Sequence, residues 1–157
     1  MANFSQSTGT KVYVAGESSA STIAEFEALT WTEIGGITSI GSFGDEREEI
    51  TVDMFGAGRR IKRPGVRDAG TLELEVARDA LDAGQQLLRD GFDGGRTHAV
   101  RVVLDDRPAG GGTPTSVYCL GVILSARIGI DGPNDIVKQT FNVSLTDAPL
   151  EVPAEAA

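Results

Sequence analysis

The sequence predicts a mainly β, antiparallel domain in which one α-helix covers a sheet face. Three observations carry that class. Apolar and polar residues alternate strictly in several runs, most clearly around Ile50-Val52-Met54, Leu72-Leu74-Val76 and Phe141-Val143-Leu145. A two-residue period is that of a strand with one buried face. Helical spacing is sustained only over residues 79–90. Twenty glycines among 157 residues, against a usual share of about 7%, supply the turns that many short strands need. With 40% apolar and 24% charged residues the composition is globular, and the length suits a single domain, 1–157.

Taken in order, residues 1–10 are small and polar and read as an N-terminal arm. Lys11 to Ala15 is a first short strand, and Glu17 to Ser21 a loop. Ile23, Phe26 and Leu29 sit at helical spacing, while Thr30-Trp31-Thr32 favours β structure; the segment reads as a loop or short turn into a strand at 30–34. Gly35-Gly36 breaks the chain, and Ile37 to Phe43 is extended again. In Glu49 to Met54 the expected core face is Ile50, Val52 and Met54, with Glu49, Thr51 and Asp53 opposite. Residues 55–68 read as a long inter-strand loop, because Gly56, Gly58 and Pro64-Gly65 do not suit a sheet interior. Thr71 to Val76 alternates again, with Leu72, Leu74 and Val76 inward and Glu73 and Glu75 outward.

The helix is predicted from Asp79 as N-cap, with Asp82 in its first turn. Leu81, Leu87 and Leu88 form its apolar stripe, extended by Phe92, and Gly91 stands at the C′ position. Gly84 inside it costs about 1 kcal/mol of helix propensity, so close backbone packing is expected there. Strands follow at His98 to Leu104, Ser116 to Ile128 and Ile136 to Thr146. They are separated by a Gly-rich loop at 108–114 and a turn at Gly132-Pro133-Asn134. Residues 147–157 read as a C-terminal arm.

One cysteine, Cys119, and one histidine, His98, exclude an intrachain disulfide, a cysteine-cluster zinc site and a two-histidine metal site. His98 reads as a plain surface or strand-end residue, Cys119 as a small core residue, and Trp31 as a core or interface anchor. No catalytic, cofactor-binding or metal-binding residue stands out, and the chain reads as not an enzyme. Met1 to Gln6 lacks the basic and apolar stretches of a signal peptide. The longest nearly apolar run, Val117 to Leu124, is too short to span a bilayer, so no membrane partner is expected.

Charge is segregated. Residues 59–67 carry Arg59, Arg60, Lys62, Arg63 and Arg67 and no acid, whereas the whole chain is at −9. Three readings of this window stand side by side: a solvated flexible loop, a loop that docks on acidic surface of a neighbouring subunit, and a phosphate-binding loop. The last lacks the Gly-x-x-x-x-Gly-Lys-Ser/Thr spacing. Glu49, Asp53, Glu73 and Glu75 form a second pattern, all opposite expected core faces. If strands 49–54 and 71–76 share a sheet, its far face is acidic; that is either the ordinary wet face of an antiparallel sheet or a wall that nucleic acid does not adhere to.

The series Thr30-Trp31-Thr32-Glu33-Ile34-Gly35-Gly36-Ile37-Thr38-Ser39-Ile40-Gly41-Ser42-Phe43-Gly44, Glu49-Ile50-Thr51-Val52, Lys62 to Gly70 and Leu72-Glu73-Leu74 resembles the tail tube (major tail) proteins of long-tailed bacteriophages. Asp79 to Leu88 is similar to that family's helix. The likeness covers about residues 10–92, and the later strands match in pattern. Many members carry Lys-Gly where this chain has Arg63-Pro64-Gly65.

The resemblance implies a β-sandwich or partial barrel with a flanking helix. It implies a structural virion protein, assembled in the host cytoplasm, whose hexameric rings stack into a hollow tube. Its partners would be further copies of itself, tail terminator, tape-measure and baseplate-type proteins, and double-stranded DNA in non-specific passage. Glu49, Asp53, Glu73 and Glu75 would face the lumen. Phe55, Arg59, Arg60, Lys62, Arg63 and Arg67 would sit on the loop that reaches the next ring. A tube of a type VI-like secretion system or gene-transfer particle, and a virion decoration or adhesin module, are the alternatives.

Overall fold

A computed structural model describes residues 4–56 and 58–157; of the expected N-terminal arm, residues 1–3 lie outside the described residues. The elements in order are β1 (Gln6–Glu17), α1 (Ile23–Glu27), β2 (Thr32–Glu33), β3 (Ile37–Ile40), β4 (Glu46–Val52), β5 (Ile61–Asp68) and β6 (Thr71–Ala77). After these come α2 (Ala83–Gly94), β7 (Thr97–Asp105), β8 (Gly112–Thr113), β9 (Ser116–Gly129), β10 (Lys138–Leu145), β11 (Leu150–Val152) and β12 (Glu155–Ala156). The fold is mainly β and antiparallel, as the alternating runs predict.

The principal sheet runs β2-β1-β7-β9-β10-β6-β3, with β11 on the first part of β9. Alternation places Val12 and Val14, Val100 and Val102, Phe141 and Val143, and Leu72, Leu74 and Val76 on one face, all at most 2% exposed. Full burial of each such side chain is worth about 1.5–3 kcal/mol. Leu88 of α2 closes this core. On the opposite face of the β1–β7–β9 half, Phe26 of α1 stacks on Tyr118 with ring centroids 5.4 Å apart. Trp31 tilts onto the same ring at 5.9 Å, and its indole N–H donates to the Phe26 carbonyl at 3.0 Å. The ambiguous segment at 23–29 is therefore a short helix. Thr22 caps it, accepting from the Glu25 N–H, while the Glu25 side chain returns to the Thr22 N–H. Those hydrogen bonds from Ser21 and Thr22 hold the Glu25 carboxyl below its ordinary range.

Several expectations change. Gln6 to Thr10 belong to β1, which pairs with β7 from Gln6↔Asp105 onward and shifts register before Lys11↔Val103; polar composition hid an edge segment held by backbone bonds. The C-terminal segment pairs as well, β11 with β9 and β12 with β8. It is pinned where the Ala154 N–H donates to Thr115 Oγ1 at 3.1 Å. Thr115 is itself gripped by Asp106, which accepts from its backbone N–H at 2.7 Å and from its hydroxyl. These bonds lower the Asp106 pKa.

The helix begins one turn later than predicted. Asp82, not Asp79, is the N-cap, accepting from the Gln85 N–H at 3.0 Å and the Gly35 N–H at 3.2 Å. Leu81 thus precedes the helix and is exposed. Gly91 lies inside it, against His98 and Ile123, and the left-handed cap is Gly95 at φ 62°. Gly84 does serve close packing: a Cβ there would lie 2.7 Å from Ile34 Cα. His98 is buried, its Nδ1 3.2 Å from the Ala15 carbonyl oxygen. Burial pushes the Cys119 thiol up to about 12, which suits a core residue and not a nucleophile.

Candidate functional site

Among the described residues two features of the fold lack partners within the chain. The first is the hairpin β4–β5. It forms a two-stranded sheet of its own, and every residue of β4 is exposed. The expected loop 55–68 is thus largely strand from Ile61 onward; Ala57 lies outside the described residues. Pro64 is tolerated because both outer edges of this ribbon are free of ladder bonds. Ile50, Val52 and Met54, expected in the core, are about half exposed, and Phe55 at the tip is fully so. Register places Ile50 opposite Arg63 and Val52 opposite Ile61, so these four share a face. Glu49, Thr51 and Lys62 occupy the other.

The basic window is largely neutralised inside the hairpin. Arg60 bonds Asp53 at 2.9 Å, Lys62 lies 3.6 Å from Glu49, and Arg67 pairs with Asp45. Among the described residues Arg59 and Arg63 make no ion pair. This pairing in and beside the hairpin is hidden in the sequence because the acids precede the bases by several residues, and only the fold-back of the chain brings them together.

The second feature is the sheet edge. β9 is bonded to β7 only as far as Thr97↔Val122, while β10 follows β9 to Lys138↔Gly129. From Ile123 onward β9 is therefore paired on one side. The unit formed by this half of β9 with β10, β6 and β3 has two different free edges, β9 and the four-residue β3. Its apolar face is the main core. Its other face is polar in rows: Ser39, Glu75, Thr140 and Arg127 in one, Glu73, Asn142 and Ser125 in the next.

Glu73 and Glu75 therefore share one face, as the alternation of β6 predicts. Glu49 and Asp53 do not join them, because β4 pairs only with β5 and the premise of a common sheet fails. The face is not purely acidic either. Arg127 and Lys138 stand on it: alternation in 136–146 puts Lys138 opposite the core face, and register across three strands brings it and Arg127 beside the acids. Lys138 Nζ lies 3.3 Å from Glu75 Oε1. The Thr38 hydroxyl donates to the same oxygen at 3.0 Å. That hydrogen bond, followed by those of Lys138, holds the Glu75 carboxyl below its ordinary range.

Among the described residues no cluster of three or more His, Cys, Asp or Glu side chains could hold a metal, and no helix is long and apolar enough to cross a membrane. The geometry offers edges, an apolar hairpin face and a polar sheet face.

Residues 5–150 match the profile of the family described as phage tail tube protein, TTP. No curated protein matches the chain by sequence. Among solved structures, the SPP1 tail tube, determined by solid-state NMR and cryo-EM, superposes with a TM-score of 0.68 at 15% identity, over 97% of this chain and 80% of that one. A chain of the anti-feeding prophage baseplate gives 0.71 at 14% identity, over 99% and 100%. A chain of the native gene transfer agent virion gives 0.60 at 15%, over 96% and 98%. At these identities the likeness is one of fold.

Proposed function

This chain belongs to the phage tail tube protein family, a structural and not an enzymatic one, and from that premise we propose that copies of it join edge to edge into hexameric rings that stack as the tube of a virion tail. The observation that carries the reading is the half-paired β9. A free strand edge is a template for another chain. Here two dissimilar edges, β9 after Val122 and β3, flank one four-strand unit. Contact between unlike edges propagates around an axis and closes when the rotation permits, and a closed barrel has no edge left.

On this reading the polar face of that unit becomes the lumen wall, and Glu73 and Glu75 line it. Duplex DNA carries about one negative charge per 1.7 Å of axis. With its lysine engaged by Glu75, the wall keeps Arg127 as a cation without an ion pair among the described residues, too little for extensive counterion exchange, so the genome passes without adhering. Glu49 and Asp53, matched within the hairpin, serve its shape. The hairpin with Phe55, Arg59, Arg60, Lys62, Arg63 and Arg67 reaches the adjacent ring. Because three of those bases are already paired, the contact is chiefly apolar, through Ile50, Val52 and Phe55. Terminator, tape-measure and baseplate-type proteins would meet the tube at its ends and in its bore, with assembly in the host cytoplasm. The fold shared with a chain of the native gene transfer agent virion favours the tube of a gene-transfer particle as the second reading.

Negative-stain microscopy and sedimentation of the purified chain at rising concentration test the proposal. Rings with a central hole, passing into tubes, are expected. A monomer at all concentrations would overturn it.

A further inference from the structure

The hairpin and the turn between β9 and β10 lie at opposite ends of β6. Asp68, which closes the hairpin, is three residues before Thr71, the first residue of β6. At the other end Ala77 pairs with Lys138, and the Arg78 N–H donates to the Val137 carbonyl at 2.9 Å. Seven residues of strand separate the two by roughly 20 Å. The turn end is unusually apolar for a loop: Ile130 is 76% and Ile136 67% exposed, with Ile128 half exposed beside them. Isolated exposed apolar residues are ordinary, but three large ones within nine residues of chain at one end of a hairpin mark an interaction surface. Asp131 and Asp135 lie between Ile130 and Ile136 along the turn. The turn is built to hold them, since the Gly132 N–H donates to Asp135 Oδ2 at 2.9 Å and the Asp135 N–H to the Gly132 carbonyl at 3.0 Å.

We propose that this turn, Ile128 to Val137, is the surface that receives the β4–β5 hairpin of a second copy of the chain. The inference rests on the tube reading and names the partner surface of its hairpin. Complementarity argues for that occupant. The hairpin face that carries Ile50, Val52 and Ile61 also carries Arg63, which with Arg59 makes no ion pair among the described residues. The turn presents two exposed carboxylates with exposed isoleucines on either side of them. Apolar residues meet apolar residues, and the two spare cations meet Asp131 and Asp135. Since the two surfaces sit at opposite ends of one strand, their contact is head to tail and open-ended, which is the arrangement that makes a filament and not a closed dimer. It also gives the tube its polarity.

The test is a charge exchange. Asp131→Lys with Asp135→Asn keeps the turn's acceptor at 135, and Arg59→Glu with Arg63→Glu changes only exposed hairpin positions. Each pair alone is expected to raise the critical concentration for tube growth by about tenfold or more, with the melting temperature of the monomer unchanged. Combining all four should recover much of that loss. Crosslinking supplies a readout that does not depend on tubes. A mixture of Phe55→Cys and Ile136→Cys chains should form a covalent heterodimer with a bismaleimide, while neither variant alone should dimerise; buried Cys119 gives little background. Normal tubes from the turn variant, with loss confined to the hairpin variant, would overturn the receiving surface and leave the tube reading standing. A wild-type chain that never assembles would overturn both.

Discussion

Strands β4 and β6 carry the same written pattern and meet opposite fates. Ile50-Val52-Met54 and Leu72-Leu74-Val76 each alternate with acids and threonine. In β6, which lies between β10 and β3, the three apolar residues are wholly buried in the core cluster that Leu88 of α2 also joins. Ile50 and Val52 of β4, and Met54 just beyond it, stand about half exposed on a ribbon that among the described residues pairs only with β5. Alternation states that a strand has an apolar face; it does not state whose surface covers it. For β6 the cover is the chain's own core, and for β4 the proposed cover is another copy.

That difference can be broken experimentally. The largest effect belongs to the core: Leu74→Ala should lose about 2–5 kcal/mol in urea unfolding, whereas Ile50→Ser with Val52→Ser should change monomer stability by less than about 0.5 kcal/mol and abolish tube growth. Equal loss from both would mean that the hairpin packs on its own body. Next, Gly84→Val sets a side chain against Glu33 and Ile34. An overpacking cost of about 1–3 kcal/mol in the same assay is expected, while Gly58→Ala in the hairpin tip, where a Cβ meets nothing, should be milder and reflect only its positive φ.

The clasp on the C-terminal segment gives a pH signature. The Asp106 pKa is lowered by Thr115, so its contribution is present above the ordinary carboxylate pKa and is lost as pH falls through the lowered folded value. The melting-temperature gap between wild type and Asp106→Asn should therefore shrink on acidification into that range; a constant gap would show that the clasp does not depend on ionisation. The smallest effect is expected from Arg60→Ala, below about 0.5 kcal/mol, since its pair with Asp53 is solvent-exposed.

Much of the fold is legible in the sequence where local pattern and burial coincide. The inward residues of β6 and β10 and the close approach at Gly84 are readable from period and propensity. The helix start was not, because Asp79 and Asp82 are equally good caps locally. Buried Gln85 decides between them: its Nε2 donates to the Gly35 and Ala77 carbonyls at 2.9 and 3.0 Å. Its Oε1 accepts from the Asp79 N–H at 2.9 Å. Residues 6–10 do not read as a strand because a polar edge held by backbone bonds leaves no apolar trace; at the C-terminus Leu150 and Val152 do pack on the Phe26–Tyr118–Leu120 cluster, but the flanking Pro149 and Pro153 make the segment read as a loose arm. Of the candidate site, Glu73 and Glu75 on one face were legible; the separation of Glu49 and Asp53 from them, and the arrival of Arg127 and Lys138, depend on strand order and register across the sheet.

The most direct measurement compares wild type with the Ile50→Ser, Val52→Ser chain by electron microscopy and sedimentation at matched concentration and stability. Long hollow tubes from the first, and only rings or single chains from the second with an unshifted unfolding curve, are the predicted pair of results. Solitary particles from both, or tubes of equal length from both, would contradict the account.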